Sequence, residues 1–453
     1  MTAPEGCDLL IRNATVVTGE TVLHDGWVAV RGDRIVGVGS GEAAAWQAER
    51  VIDGEGGLLH PGYVDGHYHL GLHLLRGILP DVPDDQPIGP FGRWLNALTP
   101  EDELVSARTA AAEAALAGFT GIVEAGSAFD TDAMAEGVTG VGLRVTLAAP
   151  MIWDRPGPEP LTGKIDRAPC DSDHALRHLG DELHRNAEDG LARGHVAYYG
   201  TGSASEEVMA EAARLAREAG VPMHAHQNFT PADAAAEKER YGRDAIVHMA
   251  EAGLIGPETV FTHMNVLSDA EVEAVVETGM ALVWHPANAA YYGILAQARS
   301  RFPELARRGV DIGFGTDVAK TWGFGDLGFA AFLTMRAAGE DVSPETLLKI
   351  FTTGGARAMG LSDTGRIAVG QRADIVLRRA DLPEAMPEGD PLKHLTLTLR
   401  TKGVRHSFCA GRQIVENGAL VRADVKEIGA AARATARGLA ERADLKLPER
   451  AAP

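Results

Sequence analysis

Two H-x-H pairs, His67/His69 and His224/His226, are followed along the chain by His263, His285 and Asp317. Each stands at the C-terminal end of a short apolar run, in HPGYVDGHYHL, VPMHAHQ, TVFTHM, ALVWHP and DIGFGTD. A single histidine at a strand end is ordinarily structural. Its recurrence at successive strand ends, joined by one carboxylate, is a donor set for a divalent cation, zinc first, with Fe2+, Co2+ and Mn2+ as alternatives. Residues two apart on a strand share a face, so His67 and His69 can serve one ion, and the 224/226 pair also faces one way. The expectation is one divalent metal held by His67, His69, a histidine of the 224/226 pair, and Asp317. Such an ion acidifies a bound water. Asp317 beside it would take the proton, and His263 would orient the hydroxide or stabilise charge on the substrate.

These residues must be brought together by their elements. From about residue 58, eight β segments (62–70, 120–126, 144–150, 195–200, 221–227, 259–264, 281–286 and 311–317) alternate with helical stretches. In SEEVMAEAARLAREAG, Val208, Ala212, Leu215 and Ala216 fall on one face. Ser205 and Ser268 read as N-caps, and Gly220 and Gly279 as helix stops. The alternation predicts a parallel (β/α)8 TIM barrel, whose strand C-terminal ends share one mouth. An open doubly wound sheet is the alternative, but the glycine fingerprint of its nucleotide-binding version is absent. Residues 8–53 read as short strands too few to bury a core alone. Strands return after about residue 362, so the predicted fold is α/β: a barrel over 61–362, plus a small β-sandwich domain built from both chain ends (1–60 and 363–425). The Ala/Arg-rich 426–453 reads as a C-terminal helix and tail on the surface or on a partner subunit.

The chain resembles the amidohydrolase superfamily, in the branch of cytosine and guanine deaminases and triazine hydrolases. The resemblance runs through LLIRNATVV…GWVAVRGDRIVGVG, HPGYVDGHYHL, VPMHAHQ, TVFTHM, HPAN, GFGTDVAK and GRIAVGQRADIVL, nearly the whole chain. It implies a distorted barrel, His67, His69, His226 and Asp317 as ligands, Asp317 as base, and His263 as the catalytic histidine. It also implies hydrolysis at a carbon bearing nitrogen, chlorine or sulfur. Deaminases of this branch carry a glutamate three residues after the fifth-strand histidine; here that position is Phe229, or Gln227 if His224 is the ligand. Asp233, Glu237 or the spare His224 could fill in, or the substrate needs no ring protonation. Strand four has no lysine to bridge two metals, which favours a mononuclear site.

The function expected is metal-dependent hydrolysis of a carbon–nitrogen bond, other than a peptide bond, in a small and cyclic nitrogen compound. The alternatives are loss of a chloro or thio-type group, deamination with a substituted proton shuttle, a two-metal amidase, and a catalytically silent scaffold. Around the site, His224, Gln227, His285, Trp94 and Tyr198 are candidate substrate contacts. Tyr199, Trp284, His73, Arg76 and Glu124 are weaker ones. The Pro/Asp-rich segment 78–102 is a candidate lid, with Phe91 and Trp94 as its wall.

Composition bounds the partners. A net charge of −20 repels nucleic acid. No apolar run reaches the length of a membrane span, and the N-terminus lacks the pattern of a signal peptide. Cys7, Cys170 and Cys409 match no zinc spacing and read as free thiols. The expectation is a cytoplasmic protein with a small-molecule substrate, no nucleic-acid or membrane partner, and a homo-oligomeric state suggested by the C-terminal helix and family habit.

Overall fold

The computed structural model describes residues 5–78, 89–157, 164–187, 189–318 and 321–445. The N-terminal strands are β1 (Glu5–Val17), β2 (Val22–Arg31), β3 (Arg34–Ser40), β4 (Trp46–Asp53) and β5 (Leu58–Pro61). The alternating region contributes β6 (Tyr63–Tyr68), β7 (Phe119–Glu124), β8 (Arg144–Leu147), β9 (Ala192–Gly194), β10 (Val196–Gly200), β11 (Met223–Gln227), β12 (Thr259–His263), β13 (Ala281–Trp284) and β14 (Ile312–Phe314). The last are β15 (Ile375–Arg378), β16 (Val404–Cys409), β17 (Arg412–Glu416) and β18 (Ala419–Leu420).

β1–β5 and β15–β18 form one nine-stranded sheet, in which β15 of the C-terminal part pairs antiparallel with β5 of the N-terminal part. Leu9, Ile11, Val28, Val30, Ile375 and Phe408 from both chain ends bury against one another in its core. β6–β9 and β10–β14 form two parallel sheets. Most of their residues are buried, as expected of parallel strands covered on both faces. The two sheets meet at His195, whose N–H bonds to Leu147 O (2.9 Å) while the next N–H bonds to Pro222 O (3.1 Å).

Helices between these strands begin and end where their sequences dictate. Ser205 accepts from Val208 N at the start of Glu206–Ala219, and Gly220 closes it at φ 64°. Val208, Ala212 and Ala216 are buried there, with Leu215 half-buried against the same core. Ser268 and Glu271 form a reciprocal capping box for Asp269–Thr278, which ends at Gly279 with φ 68°.

The C-terminal helix Val425–Arg442 packs on the helix Pro100–Ala117. Arg442 pairs with Asp102, and Leu439 and Ala440 are buried in a cluster with Trp94 and Trp153. The three cysteines are free thiols. Among the described residues, no helix is long and apolar enough to cross a membrane.

Candidate metal centre

The rings of His67, His69, His226, His263 and His285 gather at the C-terminal ends of β6, β11, β12 and β13. His67 lies 5.0 Å from His69, 4.8 Å from His226 and 5.0 Å from His285, centroid to centroid. His263 lies 4.8 Å from His285 and 5.4 Å from His226. Asp317 stands three residues beyond β14, and the backbone locks it in place: Asp317 N–H bonds to His67 O and His69 N–H to Asp317 O, both at 3.0 Å. Asn228 (φ 48°), His263 (φ 69°), Met264 (φ 45°) and Asp317 (φ 63°) are left-handed non-glycine residues around this cluster. Such conformations cost on the order of 1–3 kcal/mol each and persist where surrounding bonds over-determine them.

Hydrogen bonds fix which ring atoms face inward. His226 Nδ1 lies 2.7 Å from Tyr199 O; a carbonyl only accepts, so Nδ1 carries the hydrogen and Nε2 presents a lone pair. Ser127 donates its hydroxyl to Glu124 Oε1 (2.6 Å), so at 2.9 Å its oxygen accepts from His69 Nδ1. His69 Nε2 therefore also presents a lone pair. These two Nε2 atoms are 3.4 Å apart, and Asp317 Oδ1 lies 3.2 Å from His69 Nε2 and 3.9 Å from His67 Nε2. His67 is buried, with neither ring nitrogen hydrogen-bonded to any described residue. One donor atom from each of His67, His69 and His226 fits within 4.8 Å of the others. Converging lone pairs beside a carboxylate repel, and buried unsatisfied nitrogens are costly; a cation resolves both. The residues present therefore fit a divalent metal.

Electrostatics keep these donors in ligating form. Burial pushes the pKa of His226 down to about 3 and that of His285 to about 4. Burial, then the neighbouring imidazoles, hold His67 and His263 well below the ordinary value. Burial alone would raise Asp317, but the His69 contact and surrounding imidazoles win and hold it below the usual carboxylate range. Its other oxygen accepts from Asn288 Nδ2.

Other candidates from the sequence fall elsewhere. His285 joins the ring cluster, yet its Nδ1 donates to Gly315 O (2.7 Å) and its Nε2 is taken by Thr262 Oγ1. His224 sits deeper, against His195 at 4.7 Å, with Nε2 donating to Ala358 O (2.8 Å). Gln227 is buried and turned to Glu237 and Asn228. Tyr198, expected as a substrate contact, is instead buried in the main core. Its neighbour Tyr199 packs on His226 at 4.9 Å instead. Trp94 is also corrected: it is fully buried, and its indole N–H is spent on Gly71 O (3.1 Å).

Residues 79–88 of the proposed lid lie outside the described residues; Phe91 packs on the same buried cluster as Trp94. Asp233 caps the helix Pro231–Tyr241, and Glu124 supports His69 through Ser127. Arg76 pairs with Glu113 (2.7 Å), and His73 bonds to Tyr68 (2.6 Å).

Sequence reasoning missed Ser127, Asn288 and Asp65. Asp65 accepts from His67 N (3.0 Å) and Thr316 N (3.1 Å), and burial pushes its pKa up to about 7. A signal was present for two of them: Asp65 lies two residues before His67, and Asn288 ends HPAN. Phe229 covers His263 at 4.4 Å and meets Tyr292 edge-on at 5.4 Å.

The 5-methylthioadenosine/S-adenosylhomocysteine deaminase of Syntrophobacter fumaroxidans is 28% identical over 441 residues, covering 93% of this chain and 96% of that protein. The 5'-deoxyadenosine deaminase of Methanothermobacter thermautotrophicus is 29% identical over 427 residues, covering 89% and 94%. A zinc-bound adenosine deaminase from Xanthomonas campestris superposes with a TM-score of 0.85 at 25% identity, over 97% of this chain and all (100%) of that one. An atrazine chlorohydrolase from Arthrobacter aurescens, solved with zinc, shares the fold at a TM-score of 0.82 and 24% identity, over 94% and 100%. The amidohydrolase family model matches residues 58–414, most of the chain. The chain thus belongs to the amidohydrolase family and is a metal-dependent hydrolase of carbon–nitrogen bonds.

Proposed function

We propose that the chain removes an amino group from a small purine-like heterocycle, using one divalent cation, zinc first, held by His67, His69, His226 and Asp317. The observation that carries this reading is the convergence of the His69 and His226 Nε2 lone pairs and Asp317 Oδ1 beside the unpartnered His67 ring. The deaminase names of the relatives support the substrate class.

A cation seated there supplies Lewis acidity and makes water a nucleophile near neutral pH. Asp317, ionised and steadied by Asn288, accepts the proton of the attacking water and returns it to the departing amine. His263, whose Nδ1 has no partner among the described residues, faces the same space and stabilises charge on the substrate. Asp65 is bound to Thr316 and His67, and Glu124 to Ser127 and Gly126. Asp317 is left to carry the proton in both directions. Phe229 and Tyr292 form an aromatic wall suited to a planar ring.

A second reading, loss of a chloro or thio-type group, is favoured by Phe229 alone, since an aromatic ring stacks on His263 where an acid would protonate the ring. Ammonia release from aminopurine nucleosides, aminopyrimidines and aminotriazines separates the two. Release from the purine set supports deamination; silence across the panel, with turnover of chloro- or thio-substituted rings, contradicts it.

The passage of the chain at His195 from β9 of one parallel sheet to β10 of the other, and the Tyr68–Asp317 bridge, support a closed (β/α)8 barrel. The pairing of β5 with β15 supports a separate β-sandwich unit from residues 1–60 and 363–425. Ser127→Ala is expected to weaken metal binding by about 10–100-fold, because His69 loses the acceptor that fixes its tautomer. Competition with a chelator of known affinity measures this.

A further inference from the structure

The helix Ser172–His178 carries a second histidine pair, apart from the cluster at the strand ends. Ala175 and Leu179 turn into the main core, and the helix packs on Glu206–Ala219. His174 and His178 are four residues apart, so they are neighbours on one flank of the helix, which is left half-exposed. Their ring centroids lie 4.5 Å apart, with the planes at 41°.

Asp181 fixes the tautomer of one ring. His178 Nδ1 lies 2.7 Å from Asp181 Oδ2; a carboxylate only accepts, so in the neutral ring Nδ1 carries the hydrogen and Nε2 presents a lone pair. A carboxylate behind an imidazole is the arrangement that orients a metal-ligating histidine and raises its basicity. The backbone carbonyl of Asp181 accepts from His184 Nδ1 as well (2.7 Å). The ring nitrogens of His174 have no hydrogen bond to any described residue, so that ring is free to turn about χ2. Burial, then His178 and Arg177, hold the His174 pKa below the ordinary imidazole value, which keeps the ring neutral and able to ligate at neutral pH. Asp171 and Asp181 set negative charge beside it, against the Arg177 guanidinium.

We propose that His174 and His178 form a second, peripheral site for a divalent transition-metal ion, bound through His178 Nε2 and a ring nitrogen of His174, with water completing its shell. Two histidines at i and i+4 share one helix face and can chelate a single ion. Imidazole suits zinc, copper and nickel, whereas magnesium and calcium take oxygen ligands. Among the described residues, no third His, Cys, Asp or Glu donor closes on the pair as tightly as the His67, His69 and His226 donors close on one another. Two imidazoles hold an ion more weakly than three with a carboxylate. The peripheral ion therefore exchanges on dialysis while the one at the strand ends stays.

The test is titration calorimetry of the full-length, metal-loaded protein, dialysed free of excess cation, with ZnCl2, CuCl2 and MgCl2. One further equivalent of Zn2+ is expected to bind, Cu2+ more tightly than Zn2+, and Mg2+ not at all. His174→Ala/His178→Ala should abolish that equivalent while turnover, and Tm before any metal is added, stay unchanged. If that pair melts early, His174→Gln/His178→Gln gives the same reading. Asp181→Ala should weaken the added Zn2+ by about 10–100-fold, the usual cost of losing a carboxylate that orients a ligating histidine. No further equivalent in the wild-type protein, Mg2+ binding as tightly as Zn2+, or equal Zn2+ binding by the double variant overturns the proposal. Unchanged affinity in Asp181→Ala overturns the orienting role of the aspartate.

Discussion

Asp317→Asn is expected to lower kcat by about 10²–10⁴-fold, the span of general acid–base contributions. The amide keeps the shape that Asn288 and the backbone bonds to His67 and His69 enclose, so the fold should survive. It cannot take a proton at neutral pH, and among the described residues no other carboxylate oxygen lies within 4.0 Å of a His67 or His69 ring nitrogen. The loss should fall on kcat and kcat/KM together with KM little changed, the sign of an interaction made in the transition state. Steady-state kinetics on the metal-loaded variant measure this. A kcat within a few-fold of wild type would move the proton transfer to another group.

Trp153→Ala is expected to destabilise the protein by about 3–5 kcal/mol, the usual cost of truncating a buried indole. Trp153 is fully buried in the cluster with Leu72, Trp94 and Leu439, and its N–H is spent on Ala168 O (2.9 Å). The damage should reach the metal centre. Trp153 packs on Tyr199 at 5.1 Å, Ile152 O holds Tyr199 N–H at 2.8 Å, and Tyr199 O holds His226 Nδ1 at 2.7 Å. Urea denaturation of the metal-loaded protein should show the full loss, and chelator competition should show weaker binding. A stability change below about 1 kcal/mol would contradict the burial on which this rests.

The eight strands were legible because parallel strands covered on both faces read as short apolar runs, and each of the eight predicted segments contains a strand of the parallel sheets lying wholly or nearly within it. The strand that was not anticipated is β9 (Ala192–Gly194), just before the fourth segment, where the chain passes at His195 from one sheet to the other. The candidate metal donors were legible because H-x-H on a strand turns two imidazoles to one face, an arrangement that apolar packing alone does not favour.

What the sequence hid was depth and phase. His224 and His226 share a face, but two residues along a strand are about 6.6 Å apart, so His224 lies a layer below, against His195. Tyr198 and Tyr199 are adjacent, and an irregularity in the β10–β11 register between Ala197 and Gly200 decides which one reaches His226. The sequence around Trp94 reads as a loop, whereas Trp94 lies on the helix Gly89–Ala97 with its ring turned to the core. Ser127 carries no pattern, because a loop positions it by long-range contact rather than by period.

Whether one cation joins these side chains is decided by elemental analysis of the purified chain beside His67→Ala/His69→Ala. Close to one divalent metal per wild-type chain is expected, with loss of both metal and turnover in a double variant that remains folded. A double variant that keeps a full equivalent of metal, or a wild-type chain that turns over normally after its metal is stripped, would refute the shared metal centre.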